Sequence, residues 1–489
     1  MHRRNRMPKQ FCAWLCILFL FLAPVLPALA QDAKPASDAN PYDSAHPEDL
    51  QEDQLAASSA ILIEANSGDV IFEKNADTLM YPASTTKIMT ALLGLTIGKT
   101  NNMMDDVITI TDEDLNLPAD DPSLIPLAAG ETIRFEDLLY ATMIKSGNEG
   151  ANAIARTISG SVPDFVDLMN QTAQMLGCTA THFANPHGLH DESHYTTARD
   201  MARIAKAAMD NSTFRQIVAT TSYALPRSNL TKARTVSNTK NKLMVQGENN
   251  SYYYSYTNGI KTGYTDPAGY CYVGSATKDG VSLISVVFHS SNAGQWTDTK
   301  KLMEYGFSQY VSVTPVELYD MNPIALETTG FSVDDPNMGR LPLSLKPMDE
   351  SATAAIVATK SQVESMARNL QQLVIIEYTR DFAAPISAGE QMGTLTYFPA
   401  DGSEPVEYAL IAMRSIAQRE NAPKSIQEIT KETYDDPNPL PRFSLEFVFI
   451  GLLPIAGLYL VIRVLRRLFK RRTGRGDMNI PKRTSRRYN

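Results

Sequence analysis

Short apolar runs broken by polar turns mark where ordered structure is predicted to begin. Residues 60–65 and 70–73 are mostly apolar and flank a turn that contains Gly68. Two such runs around a glycine-containing turn are typical of a β-hairpin. The mostly apolar residues 88–96 then predict a helix.

Helical periodicity dominates the middle of the first large region. It predicts helices at residues 135–144, 151–158, 163–176, 196–209 and 296–310. Strands are predicted at residues 269–277 and 281–289, because Asp279-Gly280 between apolar runs is typical of a hairpin turn. Strands on both sides of a helix-rich middle predict a mixed α/β domain over residues 57–312, a sheet covered by helices.

Beyond residue 312 the pattern changes to short β-like runs separated by Pro and Gly. The runs at residues 354–358, 373–378 and 408–412 predict a smaller β-rich domain over residues 313–413. Residues 414–442 are charged and proline-rich, which is typical of a linker.

Both ends of the chain carry patterns of targeting and anchoring. A basic start, an apolar run and Ala28-Leu29-Ala30 predict a cleaved secretory signal peptide over residues 1–30. Residues 443–462 are apolar except for Glu446 and are long enough for a transmembrane helix. The basic residues 463–489 predict a cytoplasmic tail, so we expect a single-pass cell-membrane protein with its catalytic domain outside.

Charge is distributed unevenly over the 489 residues, whose net charge is −9. Residues 31–462 hold 30 Lys and Arg against 53 Asp and Glu, a net charge of −23. So acidic a body is not expected to bind nucleic acid, whereas the basic tail fits anionic lipid. Residues 31–56 are polar and acidic and predict a disordered leader.

Two cysteines remain after the predicted signal peptide, Cys178 and Cys271. The sequence allows one disulfide between them, and we favour two buried free thiols. No C-x-x-C motif is present.

Three short motifs follow one another in the first domain: Ser84-x-x-Lys87, Ser146-Gly147-Asn148 and Lys261-Thr262-Gly263. Three residues along a helix bring Ser84 and Lys87 to one face, about one turn apart. A serine hydroxyl becomes a good nucleophile when a base takes its proton, and an amine held neutral by its surroundings can do so. Each motif alone is weak, but their fixed order in an exported chain is a strong signal.

In these motifs the sequence resembles the low-molecular-mass penicillin-binding proteins, the serine D-alanyl-D-alanine carboxypeptidases. The longer segments at residues 81–90, 185–191, 194–200 and 259–265 are similar to that family as well. The resemblance runs from about residue 57 to residue 310, and the β-rich domain matches the family's usual layout. It implies the penicilloyl-serine transferase fold, which is β-lactamase-like, with no cofactor and no metal.

The resemblance also implies a role for each motif. Ser84 would attack the bond between the terminal D-alanines of a peptidoglycan stem peptide, with Lys87 as its base. Ser146 would relay a proton to the departing amine, and Asn148 would hold the substrate backbone and orient Lys87. The terminal carboxylate would bind Lys261 and Thr262 on an edge strand, Gly263 would leave room for the substrate, and the backbone N–H groups of Ser84 and Tyr264 would form the oxyanion hole. β-Lactam antibiotics would acylate Ser84 as covalent inhibitors.

The sequence departs from the family at two places. Glu149 stands where relatives commonly carry Asp. Relatives often end in an amphipathic helix that lies on the membrane, whereas residues 443–462 could span it, so the mode of anchoring stays open.

Four alternatives remain open. A D,D-endopeptidase acting on cross-links would use the same motifs, and so would a β-lactamase. The nearest match to the Glu-x-x-Leu-Asn segment of class A β-lactamases is residues 112–116, which we interpret as a solvated acidic loop. A zinc peptidase would need ligands among His182, His187, His190 and His194, but no H-E-x-x-H motif is present. A wall-binding scaffold would not need Ser84, Lys87 and Lys261.

Overall fold

A computed structural model describes residues 42–118, 123–238, 240–349, 355–399 and 403–420 of the protein. Its α-helices are α1 (Lys87–Thr100), α2 (Phe135–Lys145), α3 (Asn148–Ser159), α4 (Val162–Met175), α5 (Ala198–Met209), α6 (Ser212–Ala219), α7 (Gly294–Gln309), α8 (Pro315–Asp320) and α9 (Lys360–Arg368). Its strands in the first domain are β1 (Ser59–Glu64), β2 (Val70–Lys74), β3 (Val107–Thr109), β4 (Thr132–Arg134), β5 (Ser222–Leu225), β6 (Arg234–Ser237), β7 (Thr257–Thr265), β8 (Gly269–Lys278) and β9 (Val281–Ser290). The remaining strands are β10 (Tyr310–Val313), β11 (Ala325–Glu327), β12 (Arg340–Pro347), β13 (Ile356–Thr359), β14 (Val374–Tyr378), β15 (Gln391–Tyr397) and β16 (Val406–Ala412).

The first domain is built on a five-stranded antiparallel sheet in the order β2-β1-β9-β8-β7. Asp279 and Gly280 both have positive φ, at +48° and +81°, as the predicted hairpin turn between β8 and β9 requires. Strand β7 lies at the edge of the sheet, so one side of it remains open to a ligand.

Helices cover both faces of this sheet. Side chains of β1 alternate between the faces: Ile61 and Ile63 join the large core formed with helices α1 to α6. Ala60 and Leu62 join a second core on the opposite face, together with Trp296 of α7. The predicted mixed α/β sheet covered by helices is confirmed, and α6, β5 and β6 are additional elements that the pattern did not predict.

Residues 42–56 are ordered and pack on the second core. They contain two short 3-10 turns, Pro47–Asp49 and Glu52–Gln54, and bury Leu50 and Leu55 beside α7. The prediction of a disordered leader is therefore wrong for residues 42–56. Leu50, Leu55 and the partly buried Tyr42 remove apolar surface from water at this core, and Lys74 Nζ donates to Leu55 O at 2.8 Å.

The smaller domain is β-rich, as predicted, with a sheet in the order β11-β12-β16-β15-β14 over its own core. It extends beyond residue 413, because Ile416 is buried in that core and Arg414 makes a two-pronged ion pair with Asp335 at 2.8 Å. The predicted start of the linker at residue 414 is therefore wrong. The predicted boundary between residues 312 and 313 falls within β10, which pairs with β13.

Cys178 and Cys271 are both buried and free, which confirms the prediction of two thiols. The predicted signal peptide, transmembrane helix and basic tail lie outside the described residues, as does most of the predicted linker. Among the helices that are described, none is long and apolar enough to cross a membrane.

Candidate active site

Ser84 lies on a tight turn that leads directly into α1. The turn, Ala83–Thr86, is a single turn of 3-10 helix in which Ala83 has a φ of +47°. Thr86 Oγ1 donates to Ala83 O at 2.8 Å and so closes the turn. The predicted helix begins at Lys87, and Ser84 stands on the turn before it, where it lines a cleft.

The amine of Lys87 is fully buried at the base of this cleft. Its Nζ lies 3.2 Å from Ser84 Oγ, 2.5 Å from Asn148 Oδ1 and 2.6 Å from His187 O. The two closer neighbours are carbonyl-type acceptors, so the amine donates to both of them. The structure thus brings the nucleophile and the base of the first motif within reach of each other.

The second motif forms the sharp junction between α2 and α3. Ser146 has the left-handed φ of +62° that ends α2, and Asn148 is the first residue of α3. A Cβ on Gly147 would lie 2.4 Å from Ile125 Cγ1, so glycine at this position lets Ile125 pack against the junction. Glu149, which stands where relatives commonly carry Asp, is buried and accepts the backbone N–H of Ile125. Its side chain therefore has a structural role at this junction.

The third motif lies on β7, the edge strand opposite Ser84. Lys261 is buried, and its Nζ donates to Ser146 Oγ at 2.9 Å and to Thr262 O at 2.9 Å. A Cβ on Gly263 would lie 3.0 Å from Pro82 O and 3.1 Å from Ser84 N, so glycine lets the strand approach the serine turn. Thr262, Gly263 and Tyr264 all line the cleft, and the Tyr264 ring is half exposed.

Two buried amines therefore share one cleft. Burial, followed by the charges of Lys87 and Lys240, holds the pKa of Lys261 well below its ordinary value. Two ammonium groups in one poorly solvated site repel each other, so a proton on one lysine disfavours a proton on the other. An anion that bound in the cleft would relieve this repulsion.

A loop at residues 185–194 supports the serine turn from below. Gly188 has a φ of +86°, and a Cβ on it would lie only 1.9 Å from Ala83 O. His194 Nδ1 accepts the N–H of Ala184 at 3.0 Å, which leaves Nε2 to donate to Thr86 Oγ1 at 2.7 Å. The sequence indicated this loop only as a family-like segment, and its contacts with the turn could not be inferred from spacing.

His187 and His194 are neutral supports of this loop. Burial first, and then the charge of Lys87, lowers the pKa of His187 to about 3. Burial also lowers the pKa of His194 to about 3. Within the described residues, no group of three His, Cys, Asp or Glu side chains could hold a metal ion.

The cleft has a volume of about 320 Å³. Besides the predicted residues it is lined by several that sequence reasoning missed: Ser123, Lys240, Lys242, Tyr270, Asn292, Gln295 and Trp296. Ser123, Lys240, Lys242 and Asn292 lie in loops, which carry no periodic signal, whereas Tyr270, Gln295 and Trp296 lie at the starts of β8 and α7, where periodicity predicts the element but not which of its residues face a cleft.

Residues 112–116 are only in part a solvated acidic loop. Asp114 is buried, and both of its carboxylate oxygens accept bonds from Arg156, at 2.9 and 2.7 Å. That interpretation is therefore wrong for Asp114, although Asp112 and Glu113 are exposed. The ion pair fastens the loop to α3, and Asp114 is not among the residues that line the cleft.

Comparisons with known proteins agree with the motifs. The model of the D-alanyl-D-alanine carboxypeptidase family, peptidase family S11, matches residues 46–292. The chain is 36% identical over 256 residues to D-alanyl-D-alanine carboxypeptidase DacF of Bacillus subtilis, covering 52% of this chain and 63% of that one. It is 35% identical over 263 residues to a D-alanyl-D-alanine carboxypeptidase of Streptomyces sp. (strain K15), covering 52% of this chain and 88% of that one.

A crystal structure of penicillin binding protein 5 from Haemophilus influenzae is 27% identical, with a TM-score of 0.49 and coverage of 75% of this chain and 98% of that one. The chain spans less than two thirds of the length of several curated relatives, with 63% for the Bacillus protein and 64% for DacA of Escherichia coli (strain K12).

Proposed function

The chain belongs to the D-alanyl-D-alanine carboxypeptidase family, and we propose on that premise that it is a serine-type, penicillin-binding D-Ala-D-Ala carboxypeptidase. Its substrate is the peptidoglycan stem pentapeptide, from which it releases the terminal D-alanine. One observation carries the proposal: Ser84 Oγ lies 3.2 Å from the buried amine of Lys87, with Lys261 across the same cleft.

Lys87 acts as the base that activates Ser84. A neutral amine has two N–H groups and one lone pair. The two short contacts, to Asn148 Oδ1 and His187 O, use the two N–H groups. The lone pair is then directed to the Ser84 hydroxyl, from which it takes the proton as Oγ attacks the carbonyl carbon.

Lys261 binds the carboxylate of the terminal D-alanine together with Thr262. An anion next to Lys261 favours its charged form, which opposes the lowering of its pKa by burial and by Lys87. With the proton held by Lys261, repulsion across the cleft keeps Lys87 neutral. Substrate binding therefore prepares the base as well as positioning the peptide.

Ser146 and the serine turn complete the chemistry. The Ser146 hydroxyl can pass its proton to the amine of the departing D-alanine and regain one from Lys261 Nζ, which donates to Ser146 Oγ at 2.9 Å. The backbone N–H groups of Ser84 and Tyr264 stabilise the oxyanion, and the close approach of Gly263 to the turn supports this arrangement. Water then hydrolyses the acyl-enzyme. A β-lactam acylates Ser84 by the same attack on its carbonyl carbon, but the ring nitrogen takes the proton and stays attached through the opened ring, so no amine departs.

Export and anchoring belong to the same proposal. The signal peptide predicted at residues 1–30 would send the chain out of the cytoplasm, and the transmembrane helix predicted at residues 443–462 would hold it at the membrane. Only the sequence pattern supports these segments. The substrate lies outside the membrane, which is consistent with them.

The products of two substrates test the activity. We expect the purified protein without its predicted signal peptide to release free D-alanine from a stem pentapeptide, and Ser84→Ala to release none. A D,D-endopeptidase would instead split cross-linked dimers, and a β-lactamase would turn over penicillin rapidly without releasing D-alanine. A zinc peptidase would lose its activity in the presence of a chelator and would keep it in the Ser84→Ala variant.

A further inference from the structure

The wall of the cleft is basic although the protein is acidic. Lys240 and Lys242 line the cleft, the buried Lys261 contacts Ser146 of the same lining, and no Asp or Glu stands among the described residues that line it. Residues 31–462 as a whole carry a net charge of −23. A cluster of cations in a cleft of an otherwise acidic protein concentrates anions there.

Hydrogen bonds of Asn241 anchor the segment that carries these lysines to the sheet. Asn241, between them, is buried, and its Nδ2 donates to Tyr272 Oη at 3.0 Å. Tyr272 Oη in turn donates to Gly259 O at 2.8 Å, just before the third motif. Asn241 is buried, whereas Lys240 and Lys242 on either side of it are both exposed.

Each ammonium group has a defined position. Lys240 Nζ donates to Ser123 Oγ at 3.1 Å, and Ser123 O accepts the N–H of Asn148. The charge of Lys240 is close enough to contribute to the low pKa of Lys261. Lys242 Nζ lies 5.3 Å from the centre of the Tyr252 ring, which limits its freedom without neutralising it.

We propose that Lys240 and Lys242 form a second anion subsite, which binds a side-chain carboxylate of the peptide on the acyl side of the scissile bond. The inference rests on the proposed function. The departing D-alanine carries one carboxylate, and Lys261 with Thr262 binds it. A further carboxylate must therefore belong to the acyl portion, so the enzyme prefers stem peptides whose side-chain carboxylates are free over peptides in which they are amidated.

Two synthetic pentapeptides test the subsite. They share one sequence, L-Ala-γ-D-Glu-meso-diaminopimelate-D-Ala-D-Ala, and differ only in whether the two side-chain carboxylates are free or amidated. We expect the wild type to show a kcat/KM for D-alanine release that is roughly tenfold higher on the free acid, as one or two partly exposed charge pairs allow. The double variant Lys240→Gln/Lys242→Gln should bring this ratio close to one, and the control Lys232→Gln, an exposed lysine outside the cleft lining, should keep it.

Binding to the Ser84→Ala variant separates the subsite from the proposed activity. Calorimetry with the same two peptides should show the same preference in dissociation constants, lost when both lysines are replaced. Equal binding of the free and amidated peptides, or an equal loss of both in the double variant, would overturn the subsite. Selective binding without D-alanine release by the wild type would support the subsite and overturn the carboxypeptidase.

Discussion

Lys87 and Lys261 are both buried in one cleft, yet they have different hydrogen-bond partners. Lys87 donates to two carbonyl-type acceptors and faces Ser84, whereas Lys261 faces Ser146 and the open edge of β7. An amine that can lose its proton suits the first position, and a cation suits the second. This difference supports the proposal that Lys87 is the base and that Lys261 binds the carboxylate.

A guanidinium at position 87 tests that division. We expect Lys87→Arg to lower the rate of acylation by penicillin by about a thousandfold, because arginine stays charged and cannot take the Ser84 proton. The matched control is Lys99→Arg on the same helix, whose side chain is exposed. Stopped-flow or gel-based acylation rates would measure both, and near wild-type acylation by the Lys87 variant would exclude Lys87 as the base.

His187 and His194 make the stability of the fold depend on pH. Burial lowers the pKa of each to about 3, whereas an unfolded histidine titrates near its ordinary value of about 6.5. Between these values the unfolded chain binds protons that the folded chain does not. The stabilising contribution of the neutral histidines is therefore complete above about pH 6.5 and is lost as the pH falls toward 3.

Urea unfolding at pH 7, 5.5 and 4.5 measures this effect. We expect His194→Gln to lose less unfolding free energy on acidification than the wild type, because the variant has one titrating group fewer. His46→Gln is the control. His46 is exposed and its pKa is raised by Glu48, so this variant should not show a weaker pH dependence of the unfolding free energy than the wild type. An unchanged pH dependence in the His194 variant would contradict the account.

The loop at residues 185–194 shows how one element positions another. It supplies the His187 carbonyl to Lys87, and Thr90 Oγ1 donates to Pro186 O at 2.5 Å. Gly188 lies against the carbonyl of Ala83 on the serine turn. The geometry of Ser84 thus depends on a loop about a hundred residues further along the chain.

Two glycines with similar φ separate crowding from backbone strain. We expect Gly188→Ala to slow acylation at least tenfold, because its Cβ would displace the turn that carries Ser84. The control is Gly177→Ala: Gly177 has a φ of +76°, and an added Cβ would have no heavy atom within 4 Å. We expect this variant to lose only about 1–2 kcal/mol of stability and to be acylated at the wild-type rate. Acylation rates and unfolding curves of both variants measure the two effects. Equal acylation rates for Gly188→Ala and Gly177→Ala would show that the contact of Gly188 with the serine turn does not affect the reaction.

The sequence predicted the elements whose signals are local. The Asp279-Gly280 turn, the apolar helix α1 and each of the three motifs are defined by residues that are neighbours in the sequence. The burial of Leu50 and Leu55, and of Asp114 against Arg156, depends on partners far along the chain, so the local sequence around them predicts solvated segments. For the same reason, the lysines that line the cleft were not predicted.

On the scale of the whole molecule, the candidate site lies entirely within the first domain. The two domains have separate cores, joined by the pairing of β10 with β13. All residues proposed to take part in the chemistry lie between Ser84 and Tyr264. Activity and anchoring should therefore be separable.

A chain that ends at Glu420 tests this separation. We expect it to bind penicillin at the rate of the full chain, because the described part of the smaller domain remains intact. The full chain should stay with the membrane fraction after a carbonate wash and the shortened chain should not, since residues 443–462 are absent from it. Equal retention of both chains would contradict the proposed transmembrane anchor.

The covalent adduct with penicillin tests the central claim most directly. Intact-mass analysis after mixing the protein with benzylpenicillin, followed by peptide mapping, locates the acylated residue. The account predicts one adduct per chain, on the peptide that contains Ser84, and none in the Ser84→Ala variant. An adduct on another residue, or undiminished labelling of Ser84→Ala, would contradict it.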